Sequence, residues 1–294
     1  GLTLVLTILL IFGGMDLIEA LTHAFAAMAT GGFSSRNASI GAFNSAYIEW
    51  VLTLFMILAG TNFALHWRLL RGEFKLMLRD SEWRVYLGIF VLATTFIGIS
   101  LALGGDYAAP SETLRKAAFH SASILTTTGF GSGDFLLWPA FAQAVIFILM
   151  FIGGCAGSTA GGIKVGRILT LFKMGVTELR YLVNPRGIYG IFVGRQYMHK
   201  KVVYDIAAMV YLYLGLLLLS TLVVSLSGFD LLTSFTSTLA CLGNFGPGFS
   251  LVGPSSNYAF FPGWVKLWLS FIMLTGRLEV FTVIVLFTKA FRQR

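Results

Sequence analysis

Charge is scarce in this sequence: only 12% of its 294 residues are Asp, Glu, Lys or Arg, against about 25% in soluble domains. Cysteine is nearly missing too. Its two residues, Cys155 and Cys241, lie in apolar or glycine-rich stretches and read as small buried side chains at no metal-ligand spacing. The first shortage excludes an ordinary soluble enzyme and a disordered tail. The second excludes a disulfide-built secreted scaffold. What is present instead is apolar: 56% hydrophobic residues, mean hydropathy +0.81, 27 Phe and 33 Gly. Small residues at helix interfaces and aromatics toward acyl chains fit packing in lipid. The protein is read as a membrane protein.

The charges that remain are not spread evenly. The net charge is +8, with 21 basic residues against 13 acidic ones. Arg68, Arg71, Lys75, Arg79 and Arg84 form one basic cluster. Lys164, Arg167, Lys173, Arg180, Arg186, Arg195, Lys200 and Lys201 form a second, and Lys289, Arg292 and Arg294 a third. All three flank apolar spans, as cytoplasmic loops do, so a nucleic-acid partner is not expected. The opposite loops carry Asp16, Glu19, Asp106, Glu112, Asp134 and Asp230 with few bases. An acidic outer mouth that concentrates cations is the expectation.

Laying the chain on itself exposes a repeat. The stretch from Asp16 to Phe33 matches, without a gap, residues 97 and 214 positions further on. His23 meets His120, Thr30 meets Thr127, Asp16 meets Asp230, and Gly32 meets both Gly129 and Gly246. An apolar span precedes each copy, at 2–14, 83–104 and 202–227, and a second follows at about 47–66, 138–153 and 264–288. Residues 1–13 are too short to span about 30 Å of hydrocarbon, so the chain is expected to begin partway through a helix.

Each repeated stretch suits a re-entrant helix ending in an irregular loop, and such backbone is tolerated at membrane depth only inside protein or beside a water-filled path. The loops read Thr30-Gly31-Gly32-Phe33, Thr127-Thr128-Gly129-Phe130-Gly131 and Asn244-Phe245-Gly246-Pro247-Gly248. Rings of backbone carbonyls from such loops replace the water shell of K⁺ in potassium channels, and glycine supplies the backbone angles. Helix C-terminal ends aimed at the cavity favour a cation.

These residues resemble the Trk/Ktr/HKT superfamily of potassium transporters, most closely its bacterial TrkH type. The carriers are ATGGFS (29–34), TTTGFGSGDF (126–135), GGCAGSTAGGIK (153–164), GNFGPG (243–248) and TGRLE (275–279). The resemblance implies an all-α integral membrane protein of tandem repeats, each with an outer helix, a pore helix and an inner helix, around a pseudo-fourfold pore. Three of four repeats are expected here, at 1–80, 81–200 and 201–294, with the N-terminal one missing. It implies that Gly32, Gly129 and Gly246 are filter glycines. Thr30, Gly31, Thr127, Thr128, Asn244 and Phe245 would offer the other filter carbonyls. The third loop departs from Thr-X-Gly-Phe, with Asn244 and Pro247 in those places.

The function implied is K⁺ uptake, with K⁺ as the transported ion and no covalently bound cofactor. A general pathway for Na⁺ and K⁺ is the alternative, and a non-transporting scaffold or receptor the alternative from another class. Implied partners are a second copy in a homodimer, membrane lipid, and a TrkA-like cytoplasmic subunit that binds nucleotides, docking on the basic loops 67–84 and 164–201. The implied location is the inner membrane of a bacterium.

Residues 153–162 hold five glycines in ten positions. As helix these would cost about 1 kcal/mol each relative to Ala, so a flexible intramembrane loop beneath the filter is expected. The register fits neither a phosphate-binding loop, since Ile163 separates Gly162 from Lys164, nor a nucleophile elbow, since Ala156 and Ala160 flank Ser158. In the resembled family this loop blocks the pore, which makes Gly157, Ser158, Thr159, Gly161 and Gly162 gate residues. Arg277 lies in an apolar run, where a charge is expected to face the path or a partner. Glu279 is two residues away and points elsewhere on a helix. Arg277 is therefore read as a positive barrier near the loop, with the capping of loop carbonyls as its other reading. His23 and His120 are read as packing and hydrogen-bonding residues, and Asn62 as pore lining. Glu279 is the one acid read inside an apolar span.

Overall fold

Apolar length decides which helices cross the bilayer. In the computed structural model, which describes residues 1–194 and 196–286, α1 spans Leu2–Phe12, α2 Leu17–Met28, α3 Ala46–Ala59, α4 Phe63–Leu70 and α5 Phe74–Arg79. Then follow α6 (Ser81–Gly104), α7 (Pro110–Leu125), α8 (Ala140–Leu149), α9 (Val165–Val183), α10 (Lys200–Ser225), α11 (Leu231–Gly243), α12 (Gly263–Arg277) and α13 (Val280–Leu286). Strands β1 (Phe192–Val193) and β2 (Gln196–Tyr197) form a small antiparallel hairpin between α9 and α10. Among the described residues two helices, α6 with 24 residues and α10 with 26, are long and apolar enough to cross a membrane, or up to four spans if two bent helix pairs are counted. At 1.5 Å per residue these two exceed the hydrocarbon thickness of about 30 Å. The chain is a multi-pass, all-α membrane protein. Arg195 and the basic cluster Lys289, Arg292 and Arg294 lie outside the described residues.

The second apolar spans differ from their expected form: none is one straight helix. The axes of α3 and α4 meet at 100°, and those of α12 and α13 at 113°. Gly60 ends α3, Asn62 caps α4 by accepting from the Ala64 N–H at 2.8 Å, and Glu279 at the second break has φ 66°. Gly60 is wedged beside the Tyr86 hydroxyl, which itself donates to the Ile57 carbonyl at 3.1 Å. The middle one, at 138–153, stops after α8, shortly before the glycine segment begins.

The short helices α2, α7 and α11, of 12, 16 and 13 residues, cannot cross. Asp16 caps α2 through the Glu19 N–H at 2.7 Å, and Asp230 caps α11 through the Thr233 N–H at 3.0 Å. Hydrogen bonds from Thr233 hold the Asp230 carboxyl below its usual range. Most polar residues of α7 and all of those of α11 are buried in protein, among them Ser123, Thr236, Ser237 and Thr238, whose hydroxyls bond backbone carbonyls. Each short helix packs on the apolar helix before it: α2 on α1, α7 on α6, α11 on α10. Helix α7 also packs on α3, which ties the first group to the second.

Candidate functional site: the glycine loops and the segment beneath them

All three short helices end in the same way. The N–H of Thr30 bonds to the Ala27 carbonyl (3.1 Å) and that of Gly31 to Ala26 (2.7 Å). Thr127 to Ile124 (3.0 Å) with Thr128 to Ser123 (2.9 Å), and Asn244 to Cys241 (3.3 Å) with Phe245 to Ala240 (3.2 Å), repeat the pair. This is a Schellman closure, which requires a left-handed residue just past the helix. Thr30, Thr127 and Asn244 fill that place at φ 51°, 55° and 60°. Two residues on, Gly32, Gly129 and Gly246 are left-handed again at 65°, 85° and 88°. The residue between, Gly31, Thr128 or Phe245, is not. Asn244 departs in type but not in shape, since Asn enters the left-handed region far more readily than a β-branched residue does.

The loops stand side by side in order. A Cβ on Gly32 would overlap the Thr128 carbonyl, and one on Gly129 the Phe245 carbonyl. Gly32 and Gly129 therefore each press on the carbonyl preceding the next loop's glycine, while a Cβ on Gly246 would meet open space. Between Gly246 and Gly31 the arc faces a cavity of about 290 Å³, whose lining includes Phe33, Cys241, Asn244 and Met273.

Left-handed threonine costs about 1–3 kcal/mol, and contacts below hold it in place. The Thr30 hydroxyl donates to the Thr159 carbonyl at 2.7 Å, and the Thr127 hydroxyl accepts from the Gly161 N–H at 2.6 Å. Thr159 in turn donates toward the Met28 and Ala59 carbonyls at 3.0 and 3.2 Å. A Cβ on Gly161 would come within 2.6 Å of the Gly243 carbonyl. The segment 153–162 thus lies directly against the ends of the short helices. Ser158 closes its own turn by donating to the Cys155 carbonyl at 2.6 Å, while Gly157 and Gly162 are left-handed. Asn62, expected to line a pore, spends its side-chain oxygen on capping α4 and stands against Gly157, whose carbonyl accepts from Phe63 at 3.1 Å.

Arg277 reaches this segment from the end of α12. Its Nη1 donates to the Thr159 carbonyl at 2.5 Å and Nη2 to the Ala29 carbonyl at 3.3 Å. The Ala29 group belongs to the negative end of α2, where a cation is favoured. The two readings of Arg277 therefore meet in one place: it caps loop carbonyls, and it lines a cavity of about 290 Å³ with Gly157, Lys164 and Gly276. Glu279 does not pair with it, bonding Arg167 at 2.7 Å instead.

Glu82 at the start of α6 ties the segment to the first turn of α9, accepting from the Ala156 N–H at 2.7 Å and the Gly166 N–H at 2.9 Å. Sequence reading missed it, because its partners are backbone amides 74 and 84 positions away. Glu82→Ala is expected to loosen the segment and raise passive cation flux a few-fold in vesicles, since each lost charged bond is worth about 1.5–3 kcal/mol before solvent screening. Flux equal to the parent would remove Glu82 from the latch.

Two of the six acids expected to make an acidic outer mouth have a base beside them. Glu19 is paired with Arg36 at 2.6 Å and Glu112 with Arg115 at 3.5 Å, so their charge is largely answered locally. His23 Nε2 bonds the Ser34 hydroxyl at 2.8 Å and His120 Nε2 the Gly133 carbonyl at 3.2 Å, each ring tying its short helix to the loop beyond.

Residues 7–294 match the family model TrkH, described as cation transport protein. The Trk system potassium uptake protein TrkH of Escherichia coli (strain K12) is 38% identical over 291 residues, covering 99% of this chain and 60% of that protein. The Trk system potassium uptake protein TrkI of Halomonas elongata is 33% identical over 293 residues, covering 99% and 59%. The crystal structure of the potassium transporter TrkH from Vibrio parahaemolyticus superposes with a TM-score of 0.93 at 34% identity, covering 99% of this chain and 62% of that one. The chain thus spans about three-fifths of the length of these relatives. With the family model matched over nearly every residue and the three glycine loops held in one arc, this chain belongs to the TrkH family of cation transport proteins.

Proposed function

We propose that the chain supplies three loops of a carbonyl-lined filter for K⁺ uptake, with the segment 153–162 and Arg277 as its gate. The observation that carries this reading is the threefold left-handed pattern at Thr30/Gly32, Thr127/Gly129 and Asn244/Gly246, with neighbouring loops packed glycine to carbonyl. Fixed carbonyls replace the hydration shell of a cation. The names of the relatives, potassium uptake proteins, favour K⁺ among the monovalent ions. The division into repeats at 1–80, 81–200 and 201–294 is part of the same reading.

Regulation is proposed to come from the cytoplasmic side. Helix α9 begins at the end of the glycine segment and carries Arg167, Lys173 and Arg180 toward the hairpin. A nucleotide-binding subunit docked on this basic linker would pull on the gate through α9. A homodimer in the inner membrane of a bacterium completes the proposal.

The test is radiorubidium uptake into liposomes holding the natural-length protein, competed separately with K⁺ and Na⁺. K⁺ is expected to compete at least about tenfold better, a difference of about 1.4 kcal/mol. Equal competition would move the reading to a general monovalent cation pathway, and no uptake, even with Arg277→Ala, to a scaffold.

A further inference from the structure

Glu49 is the only fully buried acid among the described residues, 2% exposed in the first turn of α3, and Lys116 on α7 is the only buried lysine. They bond each other at 2.8 Å, and Arg115 adds a second bond to the same carboxylate at 3.0 Å. This pair joins the inner helix of the first group to the short helix of the second. Lys116 has one further partner: its ammonium donates to the Ser132 carbonyl at 2.7 Å, three residues past Gly129.

That bond is one of a set. Ser123 donates to the Phe130 carbonyl at 2.7 Å, and the Ile40 and Gly41 amides donate to the Gly131 carbonyl at 2.9 and 3.1 Å. His120 meets the Gly133 carbonyl at 3.2 Å. Every carbonyl from 130 to 133 is held, three of them by residues 116, 120 and 123 along one face of α7. At the place of Lys116, the first copy has Glu19 bonded to an exposed Arg36, and the third has Thr233. Only the second copy fixes its exit strand through a buried charge anchored on a neighbouring group.

A buried ion pair is weak evidence for stability, since apolar residues of similar volume often serve as well. What it supplies that apolar packing does not is a directed, charge-assisted bond to one carbonyl. We infer that Glu49 and Lys116 are a positioning pair for ion selectivity: by pinning the Ser132 carbonyl they fix the width of the Thr127–Gly129 loop for one monovalent cation over another. The inference rests on the K⁺-filter reading above. Neither side chain touches the ion; both act through the exit strand.

The experiment measures thermal unfolding and K⁺-over-Na⁺ competition in parallel on the natural-length protein carrying Glu49→Gln, Lys116→Met, or both. Each single variant is expected to unfold at lower temperature: Glu49→Gln strands the buried Lys116 ammonium, and Lys116→Met leaves the buried Glu49 carboxylate with Arg115 alone. The double variant is expected to regain the stability of the parent while its K⁺ preference stays about tenfold lower, the ratio lost with one charged hydrogen bond. Lys116→Arg, which keeps charge and donors, is expected to hold the preference within a few-fold. A double variant that recovers preference together with stability overturns the inference and leaves the pair a fold element. Equal loss of preference in Lys116→Arg and Lys116→Met overturns it as well. A parent without uptake, or without any K⁺ preference, overturns the filter reading and this inference together.

Discussion

Gly129→Ala is expected to lower K⁺-selective uptake about a hundredfold while leaving the protein folded in the membrane. Two effects add. Residue 129 has φ 85°, and L-residues pay about 1–2 kcal/mol there. The new methyl would also overlap the Phe245 carbonyl, which is backbone and cannot rotate away. Relief comes only by displacing the neighbouring loop, so one substitution disturbs two sets of carbonyls. Together these exceed the roughly 2.7 kcal/mol that a hundredfold change represents. Gly131→Ala is the control: its φ is not positive, and a Cβ there meets Pro254 at an ordinary 3.5 Å. Uptake and K⁺/Na⁺ competition in proteoliposomes, with size-exclusion profiles to check assembly, measure both. Parent-like selectivity in Gly129→Ala would sink the filter assignment for that loop.

Arg277→Ala is expected to raise cation flux about tenfold. The guanidinium spans two carbonyls, Thr159 in the glycine segment and Ala29 at the end of α2, and so fastens the segment to the first short helix. Removing it frees the segment and takes a positive charge from the cavity that Lys164 also lines. Charged hydrogen bonds contribute about 1.5–3 kcal/mol each. Arg277 is exposed to that cavity, so one tenfold step is the fitting scale. Arg277→Lys should fall between the two, because an ammonium cannot bridge both carbonyls in the planar way a guanidinium does. Single-channel recording in planar bilayers gives the open fraction directly. Flux that stays level or drops in Arg277→Ala would end the barrier reading.

The arrangement of the short helices and their loops was readable because local chemistry repeats along the chain. An aspartate that caps a helix and a glycine that must be left-handed leave the same trace each time they recur. Asp16 and Asp230 are such caps, and Gly32, Gly129 and Gly246 such glycines. Contacts between distant segments leave no such trace. Glu49 sits among apolar neighbours 66 and 67 positions before its partners Arg115 and Lys116, and reading along the chain singled out Glu279 instead. The inner helices were readable as apolar runs with a glycine in them. Their 100° and 113° bends depend on what presses on that glycine: Tyr86 beside Gly60 and the Leu242 carbonyl beside Gly276. Asn62 was readable as a polar residue in an apolar context, but its capping of α4 follows from a break that sequence leaves open.

The bonds that hold the glycine segment against the loops also set an order of birth. Thr30 meets Thr159 across 129 residues, and Arg277 meets Ala29 across 248. At about 5–20 residues per second, the ribosome needs on the order of tens of seconds between making Ala29 and making Arg277. Within that interval the second and third loops are made in turn, and the glycine segment arrives before the arginine that fastens it. A nascent chain therefore passes from one loop, through three loops over an unfastened glycine segment, to the fastened arrangement. The bond from Arg277 to the end of the first short helix is thus the last of these contacts to become possible.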